Sequence, residues 1–150
     1  PISLTLWWKC DGSMSAAHAL YSKCHTLHDY ITGEEYYAFK GDGAYGVATN
    51  QLCVAVRPVG GVTFGTVTSG TWHHVAMTYD RTNLTAYLDG VLVATHTSVG
   101  AATNTFCPLR FGSLRKSGRL VGSIDNARFY SIALSSNAVK AIYTLGRTAP

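Results

Sequence analysis

Hydrophobic and polar residues alternate along much of this chain, most clearly between Thr71 and Val93. In Trp72-His73-His74-Val75-Ala76-Met77-Thr78-Tyr79 and in Asn83-Leu84-Thr85-Ala86-Tyr87-Leu88, apolar side chains recur at every second position, the period of strands with a buried face. Asp89-Gly90 suits a two-residue primed turn, because both central residues need positive φ and Asp and Gly tolerate it best. Val91-Leu92-Val93 then starts a third strand, so the region predicts an antiparallel meander. At the N-terminus Ile2, Leu4, Leu6 and Trp8 alternate with Ser3, Thr5, Trp7 and Lys9, and the first set should face a core.

Further strands are predicted over 19–23, 35–40, 52–57, 62–67, 92–97, 109–112 and 120–130. Their regular spacing, with turn residues between, indicates an all-β sandwich of one domain spanning residues 1–150. One helix is predicted after Leu134: Ser135 is a good N-cap, and Ala138, Val139, Ile142 and Tyr143 follow at helical spacing. So short a helix must lie on a sheet to be stable. The expected core includes Trp8, Val75, Met77, Leu84, Leu88, Phe111 and Phe129, which leaves Trp7, Trp72, His74 and Tyr87 on the opposite faces of their strands. In the last strand Val121, Ser123, Asp125, Ala127 and Phe129 share one face. If that face is core, Asp125 is buried and must be paired, hydrogen-bonded or metal-bound.

Composition changes the picture in one respect. Charged residues make up 13% of the chain and hydrophobic ones 47%, and the charged share is about half the usual one. Two readings fit equally: a surface packed against partners, or a neutral sandwich rich in Thr, Ser and Gly. The net charge is +4, and the one basic cluster, Arg115-Lys116-Ser117-Gly118-Arg119, is too small for a nucleic-acid surface and reads as a loop tip. We expect no nucleic-acid partner and no membrane insertion, since no transmembrane-length apolar run or signal peptide is present. Pro1 stands at an apparent strand entry, which suggests a processed or excised piece. Cys10, Cys24, Cys53 and Cys107 allow two disulfides in three connectivities, or free buried thiols. None has the CxxC spacing of a zinc knuckle, and Cys24-His25-Thr26-Leu27-His28 with His18 matches no established metal spacing.

Catalysis is not expected. Sandwich glycosidases set carboxylates alternately along one strand, so that acid and nucleophile face the same sugar. Here the only glutamates, Glu34 and Glu35, are adjacent and point to opposite faces of a strand, and no Gly-x-Ser-x-Gly elbow occurs. Asn83-Leu84-Thr85 is a glycosylation sequon if the chain passes through a eukaryotic secretory route.

The segments Ser3-Leu4-Thr5-Leu6-Trp7-Trp8-Lys9, "TWHHVAMTYD…NLTAYLDGVLV" and Gly122-Ser123-Ile124-Asp125-Asn126-Ala127-Arg128-Phe129-Tyr130, followed by Ala133-Leu134-Ser135, resemble the laminin-G-like, concanavalin-A-like lectin and glucanase family. The likeness runs from about Ile2 to Tyr143. It implies an antiparallel two-sheet jelly-roll β-sandwich with one short C-terminal helix. It also implies that the family's usual N-terminal strand, which pairs beside the closing strand, is lacking, so that 122–130 is expected to be paired by a neighbouring subunit or a preceding segment. At Asp125 the resemblance implies either a calcium site or a structural hydrogen-bond cluster. No other cofactor is expected.

Function then has two readings. The first is a non-catalytic, extracellular or surface-exposed binding module for glycan recognition or adhesion, with a glycan or glycoprotein as partner. Its candidate ligand-binding residues are Trp7, Trp72, His74 and Tyr87, unless the C-terminal helix or a loop covers them, with Tyr30, Tyr36, Tyr37 and Tyr45 as rim candidates. The second is a self-associating structural domain of a virion (a decoration or tail protein) or a surface filament. Either would act outside the cell, at its surface or on a virion.

Overall fold

A computed structural model describes residues 1–13, 16–24, 34–41, 43, 46–102, 108–113 and 119–147, together with the side chains of all these except 24, 34, 35 and 39. It contains two antiparallel five-stranded sheets. The first has the strand order β10 (Gly122–Tyr130), β1 (Ile2–Cys10), β6 (Trp72–Tyr79), β7 (Asn83–Leu88) and β8 (Val91–Thr97). The second runs β5 (Gly60–Phe64), β4 (Leu52–Val56), β3 (Glu34–Lys40), β2 (His18–Cys24) and β9 (Leu109–Phe111). The chain is a jelly-roll sandwich, closed by the helix α1 (Ser136–Gly146).

The meander forms as the alternation predicts: β6, β7 and β8 are consecutive neighbours. Leu88 pairs with Val91 across Asp89 (φ 52°) and Gly90 (φ 75°), so both turn residues take the positive φ of a primed hairpin. The expected strand 62–67 is displaced to Gly60–Phe64 and ends where Gly65 (φ 70°) bends the chain. Leu4, Leu6 and Trp8 of β1, Val75 and Met77 of β6, and Leu84 of β7 meet Leu52, Val54, Val56 and Phe64 of the second sheet in one core, with Leu88 packed at its margin. Burial of this area is the main favourable term in folding.

Two expected core residues are not core. Phe111 and Phe129 are each more than 40% exposed. Both lie on inward sides, Phe111 opposite Tyr21 and Phe129 opposite Leu4, but on edge strands where one flank has no neighbour in the sheet among the described residues. Phe129 instead stacks on the Tyr36 ring, centroids 5.9 Å apart.

The face assignment of β10 is corrected more deeply. Trp8 pairs with Ile124 and Leu4 with Phe129, so the six residues 124–129 of β10 face the five residues 4–8 of β1. The extra residue is accommodated by a bulge in which Asn126 takes φ 50°, and alternation changes parity there. Ile124 therefore packs on the core, while Asp125 turns outward and is exposed.

Cys10 and Cys53 are both buried in the fold. Cys107 and the Cys24 side chain lie outside the described residues. Alkylation under native conditions is expected to spare Cys10 and Cys53, and unfolding to make both reactive; modification of either at native rates would contradict their burial.

Candidate functional site

The outer face of the first sheet carries the side chains that alternate away from the core. Thr5 and Trp7 of β1 stand beside Ala76 and His74 of β6, with Tyr87 of β7 next in line. Helix α1 lies across part of this face. Its N-cap is built as the sequence indicates, with Ser135 Oγ accepting a hydrogen bond from the Ala138 N–H at 3.2 Å. A second anchor comes from β1. Ser3 Oγ donates to the Ile132 carbonyl (2.8 Å) and accepts from the Leu134 N–H (2.9 Å), which ties the approach to the helix onto the sheet. Val139 then packs on Ala76 and Tyr87.

The helix separates the sequence candidates into two groups. His74 and Tyr87 are buried beneath it and present no surface to a ligand. The Tyr87 hydroxyl lies 3.1 Å from Ser136 Oγ. The His74 ring sits between Trp7 and Tyr143, at centroid distances of 5.5 and 5.8 Å. Neither of its nitrogens has a hydrogen-bond partner among the described residues. Burial lowers the His74 pKa to about 4 against the opposing pull of Asp89, while Arg128 lowers it further, so the ring is neutral near pH 7. Tyr36 belongs to the core, and Tyr37 is half-buried on the other sheet. Tyr30 and Tyr45 lie outside the described residues.

Trp7, Trp72 and Asp125 come together. They line one cleft of about 510 Å³ at the C-terminal end of α1, with Thr71, His73, Asp89, Tyr143, Gly146 and Arg147. Trp7 is paired with Asp125 across β1 and β10, and Lys9 with Trp72 across β1 and β6, which brings both tryptophans and the carboxylate to one end of the outer face. Trp72 is 41% exposed and offers an open ring. Trp7 is half-buried and stacked on Tyr143, centroids 5.5 Å apart and planes inclined by 21°. This stack adds to area burial, as offset aromatic pairs do.

Asp89 and His73 were legible only as a turn residue and a strand residue. In the fold the Asp89 carboxylate accepts hydrogen bonds from the His74 N–H (2.8 Å) and from His73 Nδ1 (2.9 Å). Burial pushes the Asp89 pKa up, but these bonds outweigh it and hold the carboxyl below its usual value. Among the described residues His73 Nε2 has no hydrogen-bond partner. Asp125 is neither buried nor part of a donor cluster. Its carboxylate accepts from the N–H and side-chain amide of Asn126, and among the described residues no group of three or more His, Cys, Asp or Glu side chains is placed to hold a metal ion. Tyr143, Gly146 and Arg147 enter the site through the helix, whose docking position no periodicity in the sequence specifies.

Gly146 is a steric requirement of the site. A Cβ built there would collide with Trp7 Nε1. Alanine in a helix interior ordinarily gains about 0.5–1 kcal/mol over glycine. Overpacking against a large ring costs about 1–3 kcal/mol, so the net effect of Gly146→Ala is expected to be destabilising. Thermal unfolding and Trp fluorescence should report a lower midpoint and a more solvated Trp7; a stabilised variant with unchanged emission would contradict the close packing.

Comparison with known proteins gives the class. The sequence profile of the concanavalin A-like lectin/glucanase superfamily matches residues 1–140, and the chain belongs to that superfamily. No protein with a curated description matches the sequence. Among solved structures, a candidate carbohydrate-binding protein from Bacteroides ovatus superposes with a TM-score of 0.72 at 16% identity, over 93% of this chain and 39% of its own. Trypanosoma rangeli sialidase gives 0.73 at 15% identity, over 98% of this chain and 23% of its own. Domain 4 of an extracellular arabinanase from Geobacillus stearothermophilus, solved with arabinotriose, gives 0.69 at 18%, over 95% of this chain and 66% of that one. At these identities the likeness establishes the fold. The chain spans well under half the length of the first two proteins. Among the described residues no helix is long and apolar enough to cross a membrane.

Proposed function

We propose that this chain is a non-catalytic carbohydrate-binding module that works outside the cell or at its surface, with the cleft at the end of α1 as its sugar site. The observation that carries this reading is the exposed Trp72 ring, set in one cleft with the Trp7–Tyr143 stack, two carboxylates and the Arg147 guanidinium. An aromatic face takes the C–H side of a sugar ring, and convergent polar groups take its hydroxyls. The fold is shared with an arabinanase domain solved with arabinotriose and with a candidate carbohydrate-binding protein, which supports the reading by analogy of fold. The reading as a virion or filament domain gains no support from these relatives.

A glycan array followed by calorimetry tests the proposal. Wild-type protein is expected to bind at least one glycan class, and Trp72→Ala to weaken that binding at least about tenfold, or about 1.4 kcal/mol. Trp72 is exposed, so its loss should leave the melting temperature nearly unchanged. Failure to bind any glycan, or full affinity in the variant, would overturn the assignment of the cleft.

A further inference from the structure

We propose that the cleft selects glycans bearing a protonated amino group over neutral or acidic ones. The inference rests on the carbohydrate-binding reading above and names the ligand class within it.

The first observation is the charge of the site against that of the molecule. The chain carries a net charge of +4, yet two of the three charged side chains lining the cleft, apart from His73, are the aspartates Asp89 and Asp125. Among the described residues Asp125 has no cation within ion-pair distance, and its hydrogen-bond partner is the neighbouring Asn126. It is exposed and stands beside Trp7, so its carboxylate is available to a ligand resting on the aromatic floor. Asp89 is half-exposed and keeps acceptor capacity beyond its bonds to His73 and the His74 N–H.

The second observation is independent of the carboxylates. The aromatic rings of the cleft already hold cations from the chain itself. Lys9 Nζ lies 5.8 Å from the centroid of Trp72, while Lys140 Nζ and Arg147 Cζ lie 5.0 and 5.6 Å from that of Tyr143. Of the four such contacts among the described residues, only Lys23 over Tyr36 lies elsewhere. The ring quadrupoles and the two carboxylates thus hold three cations of the chain at one end of the outer face, and a ligand ammonium would bind there by exchange with one of them. Lys9 is also tethered to Asp11 at 3.2 Å. Among the described residues Arg147 makes no ion pair, and it sits at the C-cap of α1, so it is the cation a ligand ammonium would displace. An amino sugar matches the combination, with a C–H face for Trp72 and an ammonium for Asp125.

The test compares three oligosaccharides of equal length by calorimetry: a fully deacetylated glucosamine oligomer, its N-acetylated counterpart and an oligogalacturonate. At mildly acidic pH, where the amines are protonated, the deacetylated oligomer is expected to bind at least about tenfold tighter than the acetylated one. The difference should shrink with added salt, as exposed charge interactions are screened, and close at alkaline pH where the amines are neutral. Asp125→Asn should bring the affinity ratio toward one. Arg147→Ala should strengthen binding of the deacetylated oligomer by removing its competitor, and thermal melts of both variants confirm folding. Equal affinity for the amino and acetylated oligomers, or tighter uronate binding that Arg147→Ala weakens, would overturn the amine preference while leaving the carbohydrate site standing. Absence of binding to all three oligomers, and to every glycan of the array, would overturn the site itself.

Discussion

Replacing Met77 by alanine is expected to cost about 2–5 kcal/mol, the range for large-to-small truncation at a fully buried site. Met77 is 0% exposed and lies in the central core between the sheets. Its neighbour on the facing sheet is Tyr21, whose hydroxyl donates to Met77 Sδ at 3.5 Å. Tyr21 is itself buried, and burial raises its pKa well above the ordinary phenolic value. Truncation therefore creates a cavity and also orphans a buried hydroxyl. The second effect can be isolated: Met77→Leu conserves volume, at a packing cost under about 1.5 kcal/mol, but removes the sulfur acceptor and leaves an unsatisfied group costing about 1–3 kcal/mol. Urea unfolding of both variants measures the two contributions, with the alanine variant the weaker. A change within error for Met77→Ala would contradict the packing of β6 described above.

The second large effect is acid lability centred on His74. Its pKa in the folded state is about 4, below the ordinary value of 6.5 that it regains on unfolding. Between these values the unfolded chain binds more protons than the folded one, so stability falls as pH drops from about 6.5 to about 4, and this contribution is flat below. The shift corresponds to a loss on the order of 3 kcal/mol. The groups around the ring set the sign. Trp7 from β1 and Tyr143 from α1 keep water out, Arg128 of β10 opposes a second positive charge, and Asp89 at the β7–β8 turn is already engaged by His73 and favours protonation only weakly. Lys140 and Arg147 of α1, seated on Tyr143, add further positive charge on the helix side. Asp89, held below its usual pKa, adds a loss in the same direction at lower pH. Denaturant titrations across this range should show the slope in wild type and its loss in His74→Leu, which removes the titrating group and its two unpartnered nitrogens. An identical pH profile in the variant would show that the lability arises elsewhere. Since His74 lies under the residues that form the cleft floor, protonation should also loosen the end of α1 and weaken ligand binding in acid.

How much of this was legible beforehand follows from what each feature depends on. Strand period is a local property, and β1, β6 and β7 put Leu4, Leu6, Trp8, Val75, Met77 and Leu84 in the core as their alternation requires. The Asp89-Gly90 turn and the Ser135 cap are local as well, because φ preference and a side-chain hydrogen bond act within a few residues. The β10 assignment failed because one residue at positive φ, Asn126, changed the parity of alternation, and that bulge is set by pairing with β1. Phe111 and Phe129 failed because burial on an edge strand depends on what lies beyond the edge, which composition does not encode.

The sequence by itself thus determined the fold class, the central strands and the existence of the helix, each from short-range periodicity and turn chemistry. Only the tertiary structure decided which outward residues remain outward. The docking of α1 removed His74 and Tyr87 from the surface and left Trp72 open. It also brought Tyr143, Gly146 and Arg147 beside Trp7, more than 130 residues earlier in the chain. A binding cleft needs groups from distant segments at one place, and that convergence is a property of packing and not of pattern.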